Sequence, residues 1–266
     1  MTQPIELDDY VRIFKPLKAG DDYLRGSWPR FRETRTRILE AFPNGRRGQL
    51  LDIGAHWLHQ SLLYTLEGFK VTAADLQSTG VGANAGIGAL AAEHGAEIVT
   101  YEDLSNPHEL LELGDDRFDV VLFSEIIEHI TFNPVEMWKV VHRLLKPGGL
   151  IVVTTPNYFW PGYFLPDLRR TLSGHSTGLP VREIVETNTY GPHWKVYSAA
   201  DLRQYFTLLS PDFVIKRQDF FDTGTLWTES ARLDRFRLRF PSLWNNLYLE
   251  VRLKNKRFGI TMHTRW

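Results

Sequence analysis

The stretch "SEIIEHI" places two carboxylates and an imidazole, Glu125, Glu128 and His129, at offsets of three and four residues. On a helix or a helical turn those offsets return to one face, so the three side chains can converge. Oxygen and imidazole ligands together make a partial site for a divalent ion. An outer ligand is offered by "GPHWKVYS", which holds His193. The expected metal set is Glu125, Glu128, His129 and His193, and it suits Mg²⁺ or Mn²⁺ as well as Fe²⁺ or Zn²⁺. The structural alternative has Glu128 capping or pairing and His129 bonded to backbone. If no metal binds, His129 or His193 is the candidate general base, with Glu128 beside them.

A second series of acids lies upstream. Asp52, Asp75 and Asp103 each fall at the end of a strand-like run. Asp75 follows the Gly54 turn by roughly twenty residues, the spacing at which a carboxylate accepts both hydroxyls of a nucleotide ribose. A phosphate cradle would need G-x-G-x-x-G. Here Gly54 is followed by Ala55, His56, Trp57 and Leu58, so none can be argued. A cofactor with a ribose but no phosphate has no such need.

The elements that must position these residues alternate. Strand-like runs are "QLLDIG" (49–54), "KVTAADL" (70–76), "AEIVTYEDL" (96–104), "FDVVLFSE" (118–125) and "GLIVVTTPN" (149–157). Helix-like stretches lie at 57–67, 80–94, 106–113 and 133–145, with "SWPRFRETRTRILEAF" (27–42) ahead of them. The helix at 133–145 begins at Asn133-Pro134, a cap followed by the proline suited to a first turn, and stops at "KPGG". Such alternation means right-handed crossovers and a largely parallel sheet, and ligands of such sheets bind outside the carboxyl ends of the strands. From 158 to 198 the rhythm gives way to aromatics, glycines and prolines, too long for an ordinary connection and read as a functional insertion. It resumes with a helix at 199–208, a strand near 212–221, an amphipathic helix and a last strand at 246–254. In that amphipathic helix Leu233, Phe236 and Phe240 share one side, with Arg232, Arg235 and Arg239 around it. The pattern predicts a helix packed on the sheet with a solvated basic face.

Bulk properties bound the function. A chain of 266 residues, 43% of them apolar, buries one large core with room for a cap. A net charge of -1 gives no global case for nucleic acid or an anionic membrane. From Asp201 onward Lys and Arg outnumber Asp and Glu, which allows a local basic surface. The absence of cysteine excludes disulfides, thiolate ligands and a cysteine nucleophile. The acidic start has no apolar signal core and no run is long enough to span a bilayer, so a soluble cytoplasmic protein is expected.

"LLDIG", "VTAADL", "FDVVLFSEIIEHI" and "LLKPGGLIVVTTPN" together resemble the class I S-adenosylmethionine-dependent methyltransferases, over roughly residues 46 to 157. Within them the chain is most similar to the branch of ubiquinone-pathway and polysaccharide-cluster O-methyltransferases. The resemblance implies an α/β, Rossmann-like, seven-stranded and mostly parallel sheet with an antiparallel last strand, helices on both faces and a cap after the fifth strand. The divisions are an N-terminal helical lid (1–45), a cofactor-binding core (46–157), a substrate cap (158–198) and a C-terminal completion of the sheet (199–266). Carried over residue by residue, the family places Asp52, Gly54, Ala55 and His56 at the methionine-side loop of S-adenosylmethionine. Asp75 and Leu76 then belong at the ribose, Asp103 and Leu104 near the adenine, and Ser124 beside the sulfonium. The chain departs from the family's D-x-G-x-G-x-G at His56 and Leu58. Binding is expected to survive, because Asp52, Gly54 and Asp75 remain and backbone amides can still meet the methionine carboxylate. A fold kept without cofactor binding or catalysis is the alternative.

E-x-x-E-H with a histidine ahead of an aromatic-rich segment also resembles the metal-dependent small-RNA 2′-O-methyltransferases, and the first element is similar to that of the ubiquinone O-methyltransferases, which need a divalent ion. The mechanism so implied is in-line displacement at the sulfonium methyl by an acceptor oxygen whose pKa the cation lowers, with proximity supplying much of the rest. Aromatics of the insertion, Tyr158, Phe159, Trp160, Tyr163, Phe164, Tyr190, Trp194 and Tyr197, suit a sugar ring, a stacked base or a hydrophobic quinol precursor. A saccharide acceptor is favoured because a metal-bound diol fits sugars, and charge near zero disfavours RNA. A phenolic or polyketide small molecule is the alternative acceptor, and a homodimer is left open.

Overall fold

A computed structural model of the chain describes residues 5–17, 20–43, 45, 47–78, 85–226 and 228–263. Seven strands, β1 (Gln49–Ile53), β2 (Lys70–Leu76), β3 (Glu97–Tyr101), β4 (Phe118–Ser124), β5 (Leu145–Pro156), β6 (Phe213–Phe221) and β7 (Asn246–Leu253), form one sheet in the order β3-β2-β1-β4-β5-β7-β6. All neighbours are parallel except those of β7, which runs antiparallel to both β5 and β6.

Strands such as "QLLDI" and "FDVVLFS" are apolar almost throughout because helices cover both faces. Successive side chains feed opposite cores: Leu51, Ile53, Val121 and Phe123 join one cluster with Trp138, while Leu50, Val120 and Leu122 join another with Ile38 and Tyr64. Strand order reverses between β1 and β4, which opens the crevice at their carboxyl ends.

Among the described residues the α-helices are α1 (Leu7–Phe14), α2 (Asp21–Glu40), α3 (Ser61–Leu66), α4 (Ala85–Glu93), α5 (Val135–Leu144), α6 (Pro161–Leu172), α7 (Val181–Glu186), α8 (Ala199–Leu209) and α9 (Ala231–Leu238). Helix α8 opens on a capping box between Ser198 and Asp201. Helix α2 starts at Asp21, ahead of the expected 27. The stretch at 57–67 is helical only from Ser61, because His56 and Leu58 hold left-handed backbone (φ 46° and 63°) that no α-helix accommodates. At 106–113 there is a 3₁₀ stretch, His108–Leu113, instead of an α-helix. Of the helix expected at 80–94, residues 80–84 lie outside the described residues. Strand β5 begins at Leu145, so "KPGG" lies inside a strand, with a register shift where Leu145 pairs with Phe118. Within 158–198 lie α6 and α7, and a parallel bridge from Asn157 to Tyr197 closes the segment.

Helix α9 corrects the amphipathic expectation. Leu233, Phe236 and Phe240 are 50%, 57% and 44% exposed, while Arg237 is 1% exposed. Its guanidinium donates to Asp234 Oδ1 (3.0 Å) and to Asp222 Oδ2. A doubly paired arginine whose stem is apolar outcompetes the phenylalanines for the interior. Arg232, Arg235 and Arg239 are exposed as expected. Among the described residues no helix is long and apolar enough to cross a membrane.

Candidate active site

The carboxyl ends of β1, β2, β4 and β5 deliver most of the expected residues to one rim. Asp52, in β1, is 3% exposed, and Ser61 Oγ donates to its Oδ2 at 2.6 Å. Burial, reinforced by Asp75, pushes its carboxyl up to about 7, against the pull of the Ser61 hydroxyl and Arg30. Gly54 turns at φ 80°, and both its N–H and that of Ala55 donate to the Ala74 carbonyl (2.8 and 3.2 Å). A Cβ on Gly54 would lie 2.2 Å from Ile126 Cδ1. The Asp75 carboxylate accepts from the backbone N–H of His56 (2.6 Å) and of Leu76 (2.7 Å). Leu76 and Leu104 pack at the edge of the main core, and Asp103 accepts from the N–H and hydroxyl of Ser105 (2.8 and 2.5 Å).

The loop after β1 carries left-handed backbone at Gly54, His56 and Leu58 (φ 80°, 46° and 63°). These are the three positions at which the glycine-rich pattern has its glycines. The path is therefore kept although two of the residues suited to it are gone, at a cost of order 1–2 kcal/mol per position. Leu58, wholly buried against α1 and α2 residues, offsets its share by packing.

The fourth strand's end departs from the expected helical turn. Glu125 is left-handed (φ 55°), and only Ile127–His129 form a single 3₁₀ turn. Glu128 and His129 meet His193, with ligand atoms all within 4.8 Å of one another; Glu125 is outside that group. Its Oε1 instead lies 3.7 Å from Arg30 Nη1 on α2. The reason is local: a left-handed residue ahead of a one-turn 3₁₀ segment does not share the turn's face.

Glu128 is wholly buried, its Oε2 accepts from Thr155 Oγ1 (2.8 Å), and burial together with Glu125 holds its carboxyl well above the usual range. His129 Nδ1 lies 3.1 Å from the Pro192 carbonyl. A carbonyl only accepts, so Nδ1 carries the proton and Nε2 keeps its lone pair. His193 Nδ1 lies 3.2 Å from the Tyr163 hydroxyl. Burial lowers the pKa of both imidazoles, and for His129 the neighbouring His193 lowers it further. Neutral imidazoles and a buried carboxylate with one unbonded oxygen fit a divalent ion.

These three residues face a cavity of about 460 Å³ between α2, the β4 and β5 ends, α6 and the β6–β7 connection. A further cavity of about 690 Å³ lies under α6 and α7, sharing Tyr163 and His193 with the first. By contrast, the space between Asp52, Gly54, His56, His59, Tyr23, Arg30 and Ser124 is only about 30 Å³, far below the several hundred Å³ of an ordinary ligand pocket. Tyr23 borders it, stacked on His59 at 5.9 Å between ring centres. His59 is 2% exposed, neither ring nitrogen has a hydrogen-bond partner among the described residues, and burial drives its pKa down to about 3. The donor set at this rim fits a nucleoside carrying an amino acid: acids at two strand ends, Arg30, and an unpartnered imidazole. At about 30 Å³ the space admits one only when the side chains that border it, Tyr23 among them, move apart.

Sequence reasoning missed Tyr23, Arg30 and His59. Arg30 is 6% exposed, donates to Ser124 Oγ (3.3 Å) and to the Tyr23 hydroxyl (3.0 Å). The available signal was "WPRFR", an arginine at the buried edge of α2 flanked by aromatics.

A family profile described as "Methyltransferase domain" matches residues 29–210, over two thirds of the chain. A ubiquinone biosynthesis O-methyltransferase of a Caulobacter species is 37% identical over 130 residues, covering 47% of this chain and 49% of the relative. That of Caulobacter vibrioides is 39% identical over 108 residues, covering 41% and 40%. The chain spans at most about half the length of these curated relatives. Among solved structures, an S-adenosylmethionine-dependent methyltransferase of Mesorhizobium loti aligns with TM-score 0.52 at 16% identity, over 85% of this chain and 97% of that one. Magnesium protoporphyrin IX methyltransferase of Synechocystis, solved with S-adenosylhomocysteine, aligns with TM-score 0.53 at 15% identity, over 95% and 89%. The strand order, the acids on the rim and the matched profile agree: the chain belongs to the methyltransferase-domain family.

Proposed function

We propose that the chain methylates a hydroxyl oxygen of a sugar or glycan, assisted by a divalent ion held by Glu128, His129 and His193. The observation that carries this reading is the convergence of those three on the wall of the 460 Å³ cavity, with His129 oriented by the Pro192 carbonyl. The names of the relatives support oxygen as the atom methylated.

When bound, S-adenosylmethionine supplies an electrophilic methyl group, and a divalent ion supplies Lewis acidity toward an acceptor hydroxyl. The chain's own residues do the rest. Glu128 offers its unbonded Oε1, His129 its Nε2, and His193 the nitrogen left over from its Tyr163 contact. Arg30 balances the charge of Glu125 at the same wall. Residues of α1 and α2 pack over Leu58 and keep that part of the β1 loop from water.

An aromatic acceptor is a second reading, favoured by the printed role of the relatives in ubiquinone biosynthesis. Formation of S-adenosylhomocysteine with a panel of sugars and catechols, before and after EDTA, tests both. The expectation is turnover on a sugar that is lost with chelator and restored by Mn²⁺ or Mg²⁺. Turnover indifferent to EDTA removes the metal, and turnover on catechols alone removes the sugar.

A further inference from the structure

Four buried polar atoms without a hydrogen-bond partner among the described residues belong to side chains lining the same 460 Å³ cavity: Glu125 Oε1, Glu128 Oε1, Trp160 Nε1 and Asn246 Oδ1. Buried polar atoms are paired as a rule, because an unpaired one bears the full cost of lost hydration. Glu128 Oε1 belongs to the metal group already described. The side chains of the other three line the remaining wall.

The fold holds Trp160 and Asn246 deliberately in place. Trp160 precedes α6, and its indole folds back over Gly162, where a Cβ would fall 2.0–2.5 Å from three indole carbons. Only glycine there permits that seat. Asn246 is 7% exposed and opens β7, in register with Pro156 of β5 and Phe221 of β6. Its neighbour Asn245 is satisfied by Thr223, accepting from the Thr223 N–H (3.0 Å) and donating to the Thr223 hydroxyl (2.5 Å). The two amides thus differ: one closes a loop, and the other, on a side chain that lines the cavity, has an oxygen without a hydrogen bond among the described residues.

We propose that Trp160 and Asn246 are an acceptor-recognition pair, the indole N–H donating to one ligand hydroxyl and the Asn246 amide oxygen accepting from another. This rests on the hydroxyl-methylating reading above and narrows its acceptor to a polyhydroxylated ring. The side chains of this wall carry one donor and, with Glu125 Oε1, two acceptors that lack a hydrogen bond among the described residues, Glu125 keeping only its 3.7 Å ion pair with Arg30. A hydroxyl serves either kind. A planar catechol that turns its two hydroxyls to the metal group leaves Trp160 and Asn246 against ring carbons, still unpaired. A saccharide ring has hydroxyls to spare.

The test is binding measured without turnover, in the full chain saturated with S-adenosylhomocysteine. Probes are methyl glucoside, methyl galactoside, methyl rhamnoside and catechol, read by saturation-transfer NMR titration. At least one glycoside is expected to bind the wild type and to bind Trp160→Phe and Asn246→Leu about tenfold more weakly, as loss of one hydrogen bond to a buried group implies. Thermal unfolding supplies a readout that a structural role would move. Asn246→Leu keeps the side-chain volume and removes an unpaired atom, so its midpoint stays level or rises. A fall of more than about 4 °C in that variant shows the amide to be structural and overturns the proposal. Glycoside binding equal to wild type in either variant overturns the pair while leaving the sugar reading intact. Failure of every glycoside to bind the wild type overturns both.

Discussion

Asp52→Asn isolates the electrostatics of the cofactor rim. In the unfolded chain the Asp52 carboxyl titrates near 3.8, and in the fold burial moves it to about 7. Between those values the unfolded state has released its proton and the folded state has not. Stability therefore falls as pH rises through this window, by about 1.4 kcal/mol per unit, and levels off above the folded value. From pH 5 to pH 7 that amounts to about 2.3 kcal/mol, because the folded group is half ionised at the upper end, and over the whole shift to about 4 kcal/mol as an upper figure. Asparagine keeps an acceptor for Ser61 Oγ but has no proton to release. Urea unfolding of wild type and variant at half-unit steps from pH 5 to 8 supplies the assay, since titrations common to both proteins cancel in the difference. The variant is expected to gain on the wild type by at least about 2 kcal/mol across that range, with all of the gain below about pH 7.5. Parallel curves, within about 0.5 kcal/mol, would show that Asp52 is ionised in the fold and refute the burial argument.

Three further outcomes follow from the same structure. Gly54→Ala faces both a left-handed backbone and Ile126 Cδ1 at 2.2 Å, so a stability loss of about 2–3 kcal/mol and a loss of S-adenosylhomocysteine binding are expected by urea titration and calorimetry. Tyr23→Ala empties the cavity above His59 and should speed S-adenosylhomocysteine association in stopped-flow mixing; a slower on-rate would mean that Tyr23 receives the ligand instead of excluding it. On α9, Arg237→Met removes a buried guanidinium that donates to both Asp222 and Asp234 and should cost about 3–5 kcal/mol, whereas Phe236→Ser should stay within about 0.5 kcal/mol, an order of severity opposite to the one hydropathy suggests.

What was legible in the sequence, and what was not, divides along the range of the interactions. Apolar runs bounded by glycine and proline located all seven strands, and the acids at their ends followed, because a strand's last residue reaches the rim whatever the loops do. Glu128, His129 and His193 come together as their types suggested. Glu125 does not, because a left-handed residue and a 3₁₀ turn replaced the helical face, and its partner Arg30 lies 95 positions upstream. Arg237 was hidden for the same kind of reason: one of its two partners, Asp222, lies 15 residues away, just past the end of β6. The β1 loop is the sharpest case. Side-chain types at His56 and Leu58 argue against a glycine-rich path, yet the chain follows it, because the hydrogen bonds that shape the loop run to Ala74 and Asp75 on the neighbouring strand. Those bonds are made by backbone N–H groups, which every residue but proline owns, so β2 can impose the turn on residues that would not choose it. Local pattern thus decides which groups arrive at the rim; long-range pairing decides which of them meet there, and it is the meeting that makes a site.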